Sequence, residues 1–285
     1  MTLHLVDESG VEVTAVTRIR VDDSNEAPTI EDAEFAVDEN STVNTEVGAL
    51  KVTDPDAYNE AFRDLVYNIV DEGVPFVMDS NRVLVNGELN HEVTTTYTFK
   101  VAVKDRNLET LTDTADVIVT IVNVNENPDI TCKADDDNCN GPFYVDENSE
   151  TGTEIHTFAI SDVDADDTGK LTVSLSDNGT TGADTLFTVK VNEANTEVSI
   201  VVLDISKLDF EKINPKHEVV LTVTDAAGLT DTLIRTIYVN DVNEAPVIAD
   251  NAFEPDENLN NGDVVGEMVV DEPDTKNEEF RHLDY

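Results

Sequence analysis

The chain has 285 residues, 17 of them Lys or Arg and 62 Asp or Glu, for a formal net charge of −45. So acidic a chain offers no basic face to phosphates or to an anionic lipid surface, which excludes nucleic-acid binding and electrostatic membrane docking. Its 39% hydrophobic content excludes a disordered acidic tail, and a core that must form against such self-repulsion points to a cationic counterpart.

Residues 1–27 lack the basic and apolar regions of a secretory signal, and no run of 18 apolar residues occurs anywhere in the chain. They end on Asp23-Ser24-Asn25-Glu26-Ala27-Pro28 and read as the C-terminal end of a repeat. Residues 28–127 read as a complete repeat. It carries Val37-Asp38-Glu39-Asn40, Asp54-Pro55-Asp56, Leu89-Asn90-His91-Glu92 and Asp105, and closes on Asn123-Val124-Asn125-Glu126-Asn127-Pro128. Residues 128–245 repeat the order with Val145-Asp146-Glu147-Asn148, Asp162-Val163-Asp164, Leu208-Asp209-Phe210-Glu211, Asp225 and Asp241-Val242-Asn243-Glu244-Ala245-Pro246. Residues 246–285 begin another copy, with Pro255-Asp256-Glu257-Asn258 and then Glu272 and Asp274.

The first and last copies share one offset: Pro28 to Pro246, Glu39 to Glu257 and Asp56 to Asp274 are each separated by 218 residues. A single offset held across several marks is the signature of a repeat protein, and the expectation is a fragment of a longer array. The 128–245 copy is longer in two places. One is an insertion that carries Cys132, Cys139 and Asp135–Asp137; the other falls around Ser176–Asp184. Tyr97, Phe99, Val101 and Val103 alternate with polar or small residues, as do Leu171, Val173 and Leu175; Val117, Val119 and Ile121, and Val219, Leu221 and Val223, keep the same period, with Ile118 and Val220 as apolar exceptions between them. Period-2 alternation of this kind predicts half-buried strands. Short strands in units of about 100 residues predict an all-β chain of tandem immunoglobulin-like β-sandwiches joined end to end.

The two ends of a sandwich alternate along the chain. Glu39 and Glu92 are therefore expected at one end of the first full repeat, with the linker residue Glu126. Asp162, Asp164 and Asp225 are expected at the facing end of the next. Six carboxylates gathered together raise one another's pKa and call for a hard cation. Ca²⁺ takes 6–8 oxygens from carboxylate, amide and carbonyl ligands, so Asn90, Asn125 and the Val124 carbonyl can complete the set. Mg²⁺ demands a stricter octahedron, and an all-oxygen set disfavours zinc and copper.

These residues resemble tandem cadherin repeats, a family with a Glu near the start of each repeat, an Asp-x-Asp, a Leu-Asp-Arg-Glu, a late Asp and an Asn- and Asp-rich linker before Pro. The resemblance covers essentially the whole chain. It implies seven-stranded Greek-key sandwiches with Ca²⁺ between successive repeats. It also extends the ligand set to Asn25, Glu26, Asp54, Asp56 and Asp105 at the first junction. At the last it adds Glu147, Asp209, Glu211, Asn243, Glu244, Glu272 and Asp274. Departures are visible: each linker is one residue shorter than the common form with Glu in place of Asp, Asn90 replaces a charged residue, and Glu272 replaces an Asp.

Other features read as background. In an oxidising compartment Cys132 and Cys139 form a disulfide around a small loop; in a reducing one they are free thiols. Asp135–Asp137 read as an exposed acidic loop. The histidines do not recur in register and no nucleophile motif accompanies them, so the chain is not expected to be an enzyme. Asn40 and Asn178 head formal glycosylation sequons. The expected function is a calcium-binding, extracellular or cell-surface segment of an adhesion protein. Its partner would be another cadherin-like chain or cell-surface protein, in a homophilic contact or otherwise. The alternatives are a calcium-stiffened spacer or an ancillary carbohydrate-binding module.

Overall fold

The computed structural model describes residues 1–59, 62–106, 108–164, 169–177 and 186–276. The Asn178 sequon and most of the expected insertion around Ser176–Asp184 lie outside these residues. The chain divides into two compact units, Met1–Val124 and Asn125–Tyr285.

The first unit opens with an exposed hairpin of β1 (Thr2–Val6) and β2 (Glu12–Val16). Then follow β3 (Thr29–Ile30), β4 (Ala33–Asp38), β5 (Glu46–Ala49), β6 (Val52–Thr53), β7 (Leu65–Ile69), β8 (Phe76–Asp79), β9 (Arg82–Val85), β10 (Thr96–Asp105) and β11 (Leu108–Val122). One sheet has the order β4-β11-β10-β7, with β4 parallel to β11; β5-β9-β8 and β3-β6 form the opposing layer. Phe99, Val101 and Val103 of β10 and Val117, Val119 and Ile121 of β11 are buried, as their spacing predicts. They meet Val83, Val85, Leu50 and Leu89 from the other layer. Phe76 stacks on Phe99 with ring centroids 5.4 Å apart.

The second unit repeats this plan. It comprises β12 (Asp129–Thr131), β13 (Phe143–Asp146), β14 (Glu154–Ser161), β15 (Thr172–Asp177), β16 (Phe187–Val191), β17 (Glu197–Val202), β18 (Lys216–Thr224) and β19 (Thr230–Asn240), followed by β20 (Val247–Ile248) and β21 (Val270–Asp271). The sheets are β13-β19-β18-β15 and β12-β14-β17-β16, with β13 parallel to β19. This non-sequential order is the Greek key, which closes two sheets, antiparallel but for the β13–β19 pair, over one core. β17 departs from alternation: Val198, Ile200, Val201 and Val202 are all buried, and Ser199 is accommodated by its hydroxyl, 2.8 Å from that of Thr157. No helix among the described residues is long and apolar enough to cross a membrane.

The insertion corrects one expectation. Cys132 and Cys139 are disulfide-bonded, and Cys139 is fully buried within the core of the second unit. Asp135 and Asp137 of the acidic loop are exposed, as expected, whereas Asp136 is half-buried. Asp136 Oδ2 lies 2.8 Å from His156 Nε2, and the His156 ring stacks on Phe143 at 4.0 Å. Arg235 Nε donates to the Cys139 carbonyl at 2.9 Å. The physical reason is local. A loop of eight residues closed by a disulfide cannot reach far from the sheet, so its apolar cysteine packs inward and one acid meets the nearby His156 imidazole.

Candidate metal centre

The copies at 28–127 and 128–245 place their opening glutamates by the same local device, whereas Glu257 of the last copy is exposed. In Asp-Glu-Asn the Asn takes up a left-handed conformation, with φ 56° at both Asn40 and Asn148. Asn adopts that region more readily than most residues. The turn is pinned by Asn40 N–H on the Leu89 carbonyl (3.1 Å) and Asn148 N–H on the Leu208 carbonyl (3.0 Å). It drives the preceding Glu into the end of the sandwich, where Glu39 and Glu147 are each only 2% exposed.

There each carboxylate accepts two backbone amides. Glu39 takes His91 N–H at 2.8 Å and Val124 N–H at 2.9 Å. Glu147 takes Phe210 N–H at 2.7 Å and Val242 N–H at 2.9 Å. The Leu-x-x-Glu segment and the linker are thereby held to the same glutamate. Glu92 lies beside Glu39, with ligand oxygens near His91. Asn90 Oδ1 is occupied by Val93 N–H at 2.8 Å.

The opposite end of each repeat also recurs. Glu26 N–H donates to Asp56 at 2.7 Å, Glu126 N–H to Asp164 at 2.8 Å and Glu244 N–H to Asp274 at 3.0 Å. The Asp-x-Asp folds on itself: Asp56 N–H donates to Asp54 at 2.8 Å and Asp164 N–H to Asp162 at 2.9 Å. In the third copy, where Glu272 replaces Asp, the longer side chain makes a 3.4 Å contact. Asp225 accepts from the Asn125 amide at 2.7 Å and from Leu229 N–H at 2.7 Å. Burial pushes Asp225 up, but these donors outweigh it and hold its carboxyl below the usual range.

The electrostatics show what the clusters lack. Asp56, Asp105, Asp164, Asp225 and Asp274 are buried carboxyls. Burial, then the charges of Asp54 and Asp56, raise Asp105. Burial raises Glu211, with Asp241 adding to it. Glu147 is pushed up to about 7, chiefly by burial and further by Asp241 and Glu244, although the two backbone amides oppose the shift. Oxygens of Asn25, Asp54, Asp105, Glu211 and Asp274 are buried with no hydrogen-bond donor. A buried acceptor without a donor costs about 1–3 kcal/mol, and more when charged. These donorless atoms at the repeat ends are all oxygens, and His91 is the one imidazole beside them among the described clusters of the repeat ends, so the set fits a hard divalent cation.

Two clusters were not fully anticipated. Glu147, Glu211 and Asp241 bring carboxylate oxygens within 4.8 Å of one another, as do Asp23, Glu26 and Asp56. Asp23 and Asp241 open their linkers, and that shared position was the available signal. Asp209 differs from its neighbours in that Lys212 takes up its carboxylate. Asn243 belongs to the linker between Asp241 and Glu244, whose carboxylate accepts the Asn148 amide at 2.7 Å.

The cadherin domain family matches residues 33–122 and 142–240. The chain is 27% identical over 301 aligned residues to the protocadherin-like wing polarity protein stan of Drosophila melanogaster, covering 96% of this chain and 8% of that protein. It is 25% identical to human cadherin-22, covering 87% of this chain and 31% of the relative. Among solved structures, protocadherin gamma B2 extracellular cadherin domains 3–6 superpose with a TM-score of 0.56 at 23% identity, covering 86% of this chain and 55% of that one. None of these relatives bears an enzyme's name, and the chain spans under a third of either curated relative.

Proposed function

The chain belongs to the cadherin family, and from that premise we propose that it is an extracellular, calcium-stiffened segment of a calcium-dependent adhesion protein. The repeats run 28–127 and 128–245, flanked by the end of one repeat (1–27) and the start of another (246–285). Calcium is held at each junction. At the first the ligands are Asn25, Glu26, Asp54, Asp56 and Asp105. At the second they are Glu39, Asn90, Glu92, Val124, Asn125, Glu126, Asp162, Asp164 and Asp225. At the third they are Glu147, Asp209, Glu211, Asn243, Glu244, Glu272 and Asp274, with Asp241 added. The bound ion supplies positive charge; the chain's own residues orient the oxygens through the backbone amides described above.

One observation carries this reading. Buried, donorless oxygens recur at the ends of the repeats. Hard cations that join successive repeats convert that repulsion into a stiff array. Beads coated with the full chain test it: they should aggregate in millimolar calcium and disperse in chelator. Equal aggregation in both conditions, or none in either, would contradict the adhesive role.

A further inference from the structure

The two complete repeats present different outer faces on equivalent sheets. In the first, β10 and β11 place Lys100 opposite Asp116, and the pair closes to 2.5 Å. Counting back from the last pairs of the parallel strands, Asp38–Val122 and Asp146–Asn240, the position of Asp116 is taken by Ile234 in the second repeat. Its cross-strand neighbour there is Val220. Where the first repeat sets Ala36 beside Thr120, the second sets Tyr144 beside Tyr238, with rings stacked at 5.6 Å. Tyr144 is 60% exposed and Ile234 56%.

The remainder of this face is mostly hydroxyl: Thr222, Thr232 and Thr236 on β18 and β19, and Ser174 and Ser176 on β15. Its charged members, Lys216, Glu218 and Asp146, sum to a single negative charge. A hollow of about 270 Å³ adjoins it, between Asn140–Pro142 and Ile234–Thr236 and Tyr238, with Arg235, which donates to the Cys139 carbonyl, the one charged residue of its lining. The hollow has a structural cause. β4 pairs with β11 from Ala33–Val117 onward, whereas β13 joins β19 only at Phe143–Ile237. Pro142, just before that point, has no N–H to extend the ladder.

We propose that this face is a self-association surface that receives the same face of a second copy of this chain. Charge selects the occupant. A basic partner is drawn to the acidic surface of a chain with net charge −45, whereas two copies repel wherever acids face acids. A nearly neutral face is where like chains can meet at low cost. The patch is also self-complementary: a protruding tyrosine stands beside a hollow, as a two-fold pairing requires of one surface. Exposed tyrosines supply contact area with little rotamer entropy to lose. Strands of 4, 11, 9 and 6 residues, at about 3.3 Å per residue and about 4.8 Å apart, give roughly 480 Å² per copy, the size of a weak, transient interface. The inference deepens the adhesive reading by naming a surface. That surface lies within one repeat and does not depend on calcium at the ends.

Sedimentation velocity on the full chain, in calcium and up to about 200 μM, tests it. The wild type should self-associate. Ile234→Glu, an exposed position that tolerates the change in the monomer, should weaken association at least about tenfold, because it sets like charges face to face. Tyr144→Ser should weaken it with no charge added. Thr120→Glu, on the equivalent face of the first repeat, should leave it unchanged. A wild type that stays monomeric throughout, or equal weakening by Thr120→Glu and Ile234→Glu, would overturn the proposal. If beads still aggregate in calcium in that case, the adhesive reading stands and only this surface is wrong.

Discussion

Where the first repeat pairs Lys100 with Asp116 on its outer face, the second pairs Ile234 with Val220, yet Glu39 and Glu147 are held at the repeat ends by the same two kinds of amide. The ends therefore recur almost bond for bond while the faces diverge. A site that must gather six or more oxygens around an ion tolerates little variation in backbone geometry. A solvent-facing sheet surface is bound only by its alternation, so it is free to change from ion pair to aliphatic pair without cost to the core. The difference separates what the repeats share, buried and amide-bound glutamates at their ends, from what can distinguish one repeat from another.

The largest effect should come from removing the cation. Each calcium site held at one hundred times its dissociation constant adds about 2.7 kcal/mol to the native state. Chelation should lower the melting temperature of the wild type in calorimetry and increase its radius of gyration in solution scattering. Identical melts with and without chelator would erase the distinction between ends and faces.

Next comes the disulfide, a feature of the second repeat alone. The loop-closure relation gives about 2.5 kcal/mol for a bridge of this length. With Cys139 buried in the core, replacing both cysteines by serine should lower stability by at least that amount in denaturant titration. The packing of Cys139, His156 and Arg235 ties this loop to the core.

A smaller effect should follow pH. His156 is held below the usual imidazole range by burial, although Asp136 opposes the shift. The folded state thus binds this proton less readily than the unfolded chain. The stability it contributes is present above the unfolded pKa of about 6.5 and is lost as pH falls through the lower folded value. His156→Gln should flatten that acid-side slope in calcium-free melts, and an unchanged slope would place the titration elsewhere. The smallest expected effect is a control: Asp136→Ala should loosen the loop and leave calcium affinity unchanged in titration calorimetry, since its carboxylate serves His156.

Much of this was legible in the chain because periodicity and hydrogen bonding are local. Alternation at Phe99–Val103 and Val219–Val223 marked strands whose inward residues are buried. Asp-Glu-Asn marked the end glutamates because its Asn makes the turn. What escaped depends on long-range packing. β17 is buried on both sides, which no period-2 pattern reveals. The inward cysteine depends on where an insertion lands in three dimensions. Asp241 joins Glu147 and Glu211 only once the linker is folded against them.

The most direct test is calcium titration calorimetry of the full chain beside Glu39→Ala and Glu147→Ala. Each replacement removes the carboxylate that ties a Leu-x-x-Glu segment to its linker. The wild type should bind several ions, and each variant should lose affinity at least about tenfold at one junction only, with its sandwich cores still folded by circular dichroism. A wild type that takes up no calcium, or variants that bind it as the wild type does, would contradict the assignment of these ends as metal sites.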